Sequence, residues 1–288
     1  VLTTSGLSAG ILNGLCLAGI YVLVALGMTL ILSIMNILQF AHGEIFMLGA
    51  FATYFVVVRL GGNIFLAVLM AMVAVGILGF ILERVIFRPL VGKFTPVVCA
   101  ATGLMLILQT TAVLTFGLNQ KQLPAILPGG IRVLGFVVPY DRLLALITGA
   151  VLTAILFVFL RRTKLGLAIT ATSQNREGAL LQGINPKVMY SFVMTIGSAL
   201  AAVGGSFAGS IFTLDPFMGS LALMKGFTII VIGGMGSVGG VVVGGLLLGL
   251  SDSLTATLFS PAVASISPLV LVIIVLVARP KGLWGHET

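Results

Sequence analysis

Charge is what this sequence has least of. Asp, Glu, Lys and Arg make up 8% of its 288 residues, where a soluble domain carries about 25%. With 59% hydrophobic residues and a mean hydropathy of +1.25, the chain cannot cover a water-facing surface, so its outer solvent is lipid. The net charge of +8 would suggest nucleic acid only in a soluble protein. Here the basic residues sit in short loops between apolar runs, as the positive-inside rule requires, and no nucleic-acid partner is expected. Cys16 and Cys99 are the two cysteines. Both lie in apolar runs without a CxxC or His-rich partner, and they read as inert buried thiols rather than metal ligands or a disulfide. Histidine is equally scarce, with His42 and His286 alone. No Ser-His-Asp set, HExxH or paired carboxylates appear, so no metal site and no enzymatic activity are expected. The P-loop is missing too: Gly92–Lys93 is followed by Phe94, and Phe87 stands where the earlier glycine belongs. The start, VLTTSGLSAG, has no basic n-region and does not read as a cleavable signal peptide. It lacks a Met, and a trimmed start is expected.

What is present is apolar sequence in lengths that suit a bilayer, which needs about 20 residues per crossing. Candidate spans cover 8–33, 44–59, 64–82, 95–116, 143–160 and 188–213, then a long tract at 222–258, then 264–278. Basic content concentrates in ERVIFRPLVGK (83–93), in 161–187 and in the tail, with Arg279 and Lys281. Placing these three segments in the cytoplasm sets a parity condition. It forces 222–258 to cross twice, breaking near GGMGSVGG (233–240). The N-terminus and the loop 117–142 then fall outside and the C-terminus inside, with eight or nine crossings. That outer loop carries Lys121, Arg132 and Arg142 against Asp141, against the charge rule. The predicted fold is all-α, a polytopic membrane bundle with broken and short helices. Within it Gly236, Gly240 and Gly244 recur every fourth residue and Gly245 and Gly249 form a second pair. That spacing lets helix backbones approach closely in lipid.

Ionisable groups at membrane depth are costly and face cavities or protein interiors. Glu44, Lys225 and Asp252 qualify, with His42 beside Glu44. Asn13, Asn36, Gln39 and Gln109 add neutral hydrogen-bonding groups. Asn36, Gln39 and Gly43 fall at i, i+3 and i+7, one face of a helix. Each of these amides has two readings, interhelical hydrogen bonding or solute contact. The stretch Ala41-His42-Gly43-Glu44 also reads as a helix break near the cytoplasmic end of the first span. An acid in the first turn of the next helix suits its positive end, which makes His42 a satisfied hinge residue.

The longest cytoplasmic segment, RRTKLGLAITATSQNREGALLQGINPKV, predicts a helix from Leu167 to Gln182, stopped at Gly183 and followed by Pro186. Its polar middle, Gln174, Asn175, Arg176 and Glu177, stands next to small Gly178 and Ala179. The segment reads either as a solvated connector or as a docking element for a partner that supplies energy.

GIYVLVALGMTLILSIMNILQFAHGEIFMLGAF (19–51), ERVIFRPL (83–90), RRTKLGLAITATSQNREGALLQGIN (161–185), GSALAAVGGSFAG (197–209), 214–254 and ARPKGLWG (278–285) span nearly the whole chain in order. The chain resembles the permease subunit of branched-chain amino-acid ABC importers. The resemblance implies one transmembrane domain over 1–288, half of a heterodimer with a second related permease. It implies two cytoplasmic ATP-binding subunits that hydrolyse ATP with Mg, and an extracytoplasmic solute-binding protein. The chain itself would bind no cofactor, and would sit in the bacterial inner membrane. The loop 161–187 matches the coupling segment that meets the ATPase, with Gln174 to Ala179 at its centre. Asn36, Gln39, His42, Glu44, Asn13 and Gln109 are the candidate pathway residues, Asn36 and Gln39 foremost. The same family includes permeases for urea and short amides. Asp215 stands where relatives often carry an amide, and Asp252 where a glutamate is common. From another class, an autonomous channel or proton-coupled carrier would use His42 and Glu44 as a proton relay.

Overall fold

A computed structural model describes residues 4–133, 136–280 and 282–284; Lys281 and His286 lie outside the described residues. Helix α1 (Thr4–Met35) is the longest. It ends at Asn36, whose φ of 53° is left-handed, and residues 36–41 are not helical. Asn36, Gln39 and Gly43 therefore do not share one helix face. The expected break is real but begins earlier than His42. An asparagine tolerates the left-handed geometry that ends a helix, a local signal stronger than the spacing. α2 (His42–Tyr54) then starts, with Glu44 in its first turn, and runs on through a π-helical turn at Phe55–Arg59.

The chain continues through α3 (Ile64–Leu82), tighter turns at 83–90 and α4 (Phe94–Phe116). A hairpin of β1 (Gly130–Val133) and β2 (Phe136–Pro139) pairs Ile131 with Val138 and Arg132 with Val137. α5 (Tyr140–Arg162) follows. The predicted single helix at 167–182 is two, α6 (Lys164–Gln174) and α7 (Arg176–Leu181). The break falls at Asn175, whose side chain accepts from the backbone N–H of Gly178 at 2.8 Å. Asparagine caps a new helix better than it continues an old one, which accounts for the division. Gly183 ends α7 with φ 80°, and Pro186 occupies the first turn of α8 (Pro186–Ile211), where its missing N–H costs nothing.

The glycine-rich tract divides into α9 (Met218–Gly233) and α10 (Val238–Leu258), separated within the predicted 233–240. A short α11 (Pro261–Ala264) and α12 (Ser267–Ala278) complete the bundle. Six helices are long and apolar enough to cross a membrane: α1, α3 with its following turns, α4, α5, α8 and α10. α9 and α12 are shorter apolar helices.

Burial separates inner helices from outer ones. The most apolar stretches of α1 and α8 are 83% and 72% buried, against 28%, 22% and 17% for α3, α4 and α5. The outer helices present Leu69, Val73 and Ile77, Leu106, Ile107 and Leu114, and Ile147, Ile155 and Val158, the surface a lipid-facing wall needs. Cys99 lies on this exposed side and only Cys16 is buried; both are free. The expectation of two buried thiols fails for Cys99 because an apolar run does not say which side of its helix faces inward.

Close helix approach holds the inner layer. A Cβ added at Gly205 of α8 would stand 1.9 Å from the Phe46 carbonyl of α2, and one at Gly49 would meet Ala202 at 2.4 Å. Thr53 and Ser206 bond across the same seam at 2.7 Å. The glycine set on α10 serves two neighbours. Gly240 and Gly244 face Gly233 and Ile229 of α9, whereas Gly245 and Gly249 face Val22 and Gly14 of α1. Gly236 does not belong to this packing set. It lies in the turn with φ 88°, and the nearest atom to an added Cβ is Ser33 Oγ at 3.5 Å; its role there is conformational.

Candidate functional site

The two ends of the bundle differ in chemistry. One end gathers the turns at 83–93, the α6–α7 pair, the start of α8 and the chain after α12. Arg88 grips Glu83 in a fork there, Nε to Oε1 at 2.9 Å and Nη2 to Oε2 at 2.8 Å. It also donates to the Lys187 carbonyl and to Ser191 Oγ, while Ser191 Oγ donates to Glu83 Oε2 at 2.8 Å. Glu83 is fully buried, and this network satisfies it. The tail closes the same end, with the Leu283 and Trp284 N–H groups donating to the carbonyls of Ile232 and Gly233.

At this basic end Gln174, Asn175, Arg176 and Glu177 are exposed and Gly178 is half-buried. Ala179 departs from the predicted docking set by turning inward, 3% exposed. Leu180 and Leu181 face out instead, because the new helix begins at Arg176 and its phase is reset. The Arg176 guanidinium lies 5.6 Å from the Tyr190 ring centre, which ties α7 to α8.

The opposite end holds a cavity of about 940 Å³. α1 supplies Asn13, Leu17, Ile20, Tyr21 and Val24 to its wall, a spacing that puts all five on one helix side. α9 contributes Met218, Leu221, Ala222 and Lys225, and α10 contributes Asp252, Ser253 and Ala256. Phe46, Arg142, Phe212, Asp215 and Phe217 complete much of the rest. The antiparallel contact of Lys121 with Leu214 brings the loop after α4 against the link between α8 and α9, which sets Gln120 and Asp215 on the rim.

Within the cavity wall, four helices converge on one carboxylate. Lys225 Nζ donates to Asp252 Oδ2 at 2.6 Å and also to the Tyr21 hydroxyl. Tyr21 OH donates to the same oxygen at 3.1 Å, and Ser267 Oγ donates to Oδ1 at 2.7 Å. α1, α9, α10 and α12 each contribute one group. Nearby, Arg142 Nη1 donates to Asn13 Oδ1 at 2.5 Å, which gives Asn13 an interhelical bond and a place on the cavity wall together.

Of the six pathway residues predicted, Asn13 alone lines this cavity. Asn36 is exposed at the basic end and Gln109 is half-buried on outer helix α4. Gln39 is 3% exposed beside a small pocket with Met28, Leu32 and Phe227, away from the cavity. His42 and Glu44 are wholly buried; neither carboxylate oxygen of Glu44 has a hydrogen-bond partner among the described residues, whereas the His42 ring lies against the Val24 backbone. The expected hinge histidine thus has a backbone neighbour, Val24, and close packing around its ring, whereas Glu44 is held by packing alone. Cβ atoms built on Gly27 and Gly219 would stand 2.9 Å from His42 Nε2 and 2.7 Å from Glu44 Oε2, so each side chain fills a place that a glycine leaves open.

Tyr21, Arg142 and Asp215 were absent from the sequence-derived set. Arg142 did carry a signal, as a cation in the loop 117–142, which the parity of the basic segments assigns to the side where few are expected. Tyr21 carried none, since a tyrosine in an apolar run looks like core.

A bundle with lipid-facing outer helices, a solvent-accessible cavity at one end and a basic, helix-bearing face at the other defines a multi-pass membrane permease. The chain belongs to the family described as "Branched-chain amino acid transport system / permease component", whose model matches residues 10–278, and it serves as a permease component of an ABC importer. It is 32% identical to the high-affinity branched-chain amino acid transport system permease protein BraD of Pseudomonas aeruginosa, over 96% of this chain and 95% of that one. It is 30% identical to LivH of Escherichia coli K12, a permease protein of the same description, over 95% and 94%. Among solved structures it is similar to PsaBC from Streptococcus pneumoniae in complex with Fab, with a TM-score of 0.53 at 13% identity, covering 93% of this chain and 91% of that one. That likeness concerns the fold.

Proposed function

We propose that the chain imports branched-chain amino acids across a bacterial inner membrane, with the basic end in the cytoplasm and the cavity facing outward. The observation that carries the reading is the cavity itself, walled by Leu17, Ile20, Val24, Phe46 and Met218 and lying at the end away from the basic turns. Its apolar wall suits an aliphatic side chain better than it suits urea or a short amide, and the full-length relatives bear the same substrate in their names.

In this reading the chain pairs with a second related permease and receives solute from an extracytoplasmic binding protein. It does no covalent chemistry and holds no cofactor of its own. Two ATP-binding subunits at the basic end hydrolyse ATP with Mg, and their closure pushes on α6–α7 and rocks the bundle between two states. The loop 161–187 acts as the coupling element. Gln174, Asn175, Arg176, Glu177 and Gly178, joined by Leu180 and Leu181, form its docking face.

Proteoliposomes carrying the whole importer decide the substrate. Uptake of labelled leucine, dependent on ATP and on the binding protein and unmatched by urea or acetamide, is expected. Uptake of urea in preference to leucine overturns it. Replacing Arg176 and Glu177 together should separate ATP hydrolysis from uptake while the assembly stays intact, and normal uptake by that variant would remove the coupling role.

A further inference from the structure

The cavity holds four charges, and they are not equivalent. Lys225 and Asp252 satisfy one another, with Tyr21 and Ser267 completing the carboxylate. Arg142 has no such counter-charge. Its guanidinium has five N–H donors, its one hydrogen bond among the described residues goes to the neutral amide of Asn13, and it forms no ion pair there. Asp215 is its opposite. One oxygen, Oδ1, accepts from the backbone N–H of Phe217 at 2.7 Å, and Oδ2 has no partner among the described residues. One cation and one anion, each without a counter-ion, thus face a cavity whose remaining wall is largely aliphatic and aromatic.

We infer that this cavity is a receiving site for a zwitterionic α-amino acid with an aliphatic side chain. Arg142 takes its carboxylate, Asp215 takes its ammonium, and Leu17, Ile20 and Phe46 pack on its side chain. The inference rests on the importer reading given above and adds the residues that recognise the solute. Its chemistry is one of balance. A planar guanidinium with free donors matches a carboxylate in a fork, and a carboxylate with a free oxygen matches an ammonium. A solute carrying both charges cancels both unpaired groups on entry. A solute lacking either one leaves a partly desolvated charge unmatched, which is the strongest source of discrimination a polar site has. The Asn13 contact keeps Arg142 pointed along the α1 side of the cavity without neutralising it. Lys225–Asp252 leaves the charge of the cavity unchanged, so it does not compete for the solute.

The test uses the complete importer in proteoliposomes, photolabelled with a diazirine analogue of leucine. Adducts are expected on the cavity wall, at positions such as Phe46 or Met218. In Arg142→Gln and in Asp215→Asn the concentration for half-maximal labelling should rise about tenfold or more, the loss expected for one charge-assisted contact. Arg142→Lys should recover part of it. Leucine should compete with the label, whereas leucinamide, which lacks the carboxylate, and 4-methylpentanoate, which lacks the ammonium, should compete at least about tenfold less well. Adducts confined to residues outside the cavity, or unchanged labelling in both neutral variants with normal gel-filtration profiles, overturn the inference. Should a neutral variant fail to assemble, the unaltered importer decides, because equal competition by leucinamide, 4-methylpentanoate and leucine overturns it as well. The two readings fail separately. An importer that takes up no amino acid refutes the proposed function, and one that takes up leucine but is labelled elsewhere refutes only this site.

Discussion

The Lys225–Asp252 cluster and the His42–Glu44 pair place ionisable side chains inside the same bundle and treat them in opposite ways. Asp252 is 5% exposed and accepts from three side chains on three other helices. Glu44 is wholly buried and accepts from none among the described residues. The first cluster ties α1, α9, α10 and α12 together at the cavity wall. The second pair is wedged by shape, against Gly27 and Gly219. Burial of a polar group therefore has two meanings in this molecule. Where partners converge, the group organises the site; where glycine makes room, it fills a seam between helices.

That contrast can be broken most forcefully at Lys225. Removing one member of a buried pair leaves the other charge uncompensated, at about 3–5 kcal/mol. Lys225 is 28% exposed, so water screens part of the loss and Lys225→Met should cost about 3 kcal/mol. The thermal midpoint of the purified protein should drop accordingly. Combining it with Asp252→Asn should restore much of the midpoint, since the orphaned charge is gone. A double variant no better than the single would refute the pairing account.

Next comes Glu83, the satisfied carboxylate of the basic end. Glu83→Gln removes the charge that receives the Arg88 fork, and about 2 kcal/mol of stability should go with it. The partly exposed Arg88 can rehydrate, which keeps this effect below that at Lys225. Thermal denaturation in detergent measures it.

Gly219→Ala sharpens the other side of the comparison. The new methyl would meet the Gly43 carbonyl and Glu44 Oε2, both at 2.7 Å, and overpacking of this kind costs about 1–3 kcal/mol. Repeating it in a Glu44→Ala background should lessen the cost, because the clashing carboxyl atoms of Glu44 are removed and only the Gly43 carbonyl remains. Additive losses would show that the backbone contact alone resists the methyl.

The smallest effect is expected at Glu44 itself. Glu44→Gln keeps the shape and breaks no hydrogen bond, so stability should stay within about 1 kcal/mol of the starting protein, or rise. A loss as large as that of Glu83→Gln would mean that Glu44 has a charged partner, and that the two buried carboxylates are held in the same way.

The gross organisation was legible along the chain. Apolar lengths marked the spans, the parity of basic loops required the break within 233–240, and Gly183 and Pro186 announced the end of one helix and the start of the next. Each of these signals is local, acting within a turn or two of backbone. The misplaced features were local as well, but two signals competed. Asn36 outweighed an i, i+3, i+7 pattern by adopting a left-handed φ. Asn175 capped a new helix in the middle of an apparently continuous one, and Ala179 turned inward as a result.

The candidate site was far less legible. Asn13 was selected, whereas Asn36, Gln39, His42, Glu44 and Gln109 lie away from the cavity. The reason is separation along the chain: Asn13 meets Arg142 across 129 residues and Tyr21 meets Asp252 across 231. Sequence by itself determined that this protein lives in lipid, where its helices run and which end is basic, because hydropathy, capping and loop charge act locally. Tertiary structure alone decided which polar groups meet, since that depends on the axial register and rotation of helices locked by glycine contacts such as Gly249 on Gly14 and Gly205 on Phe46. A spacing of four residues shows that a helix can be approached closely, but it does not say by which neighbour or at what height.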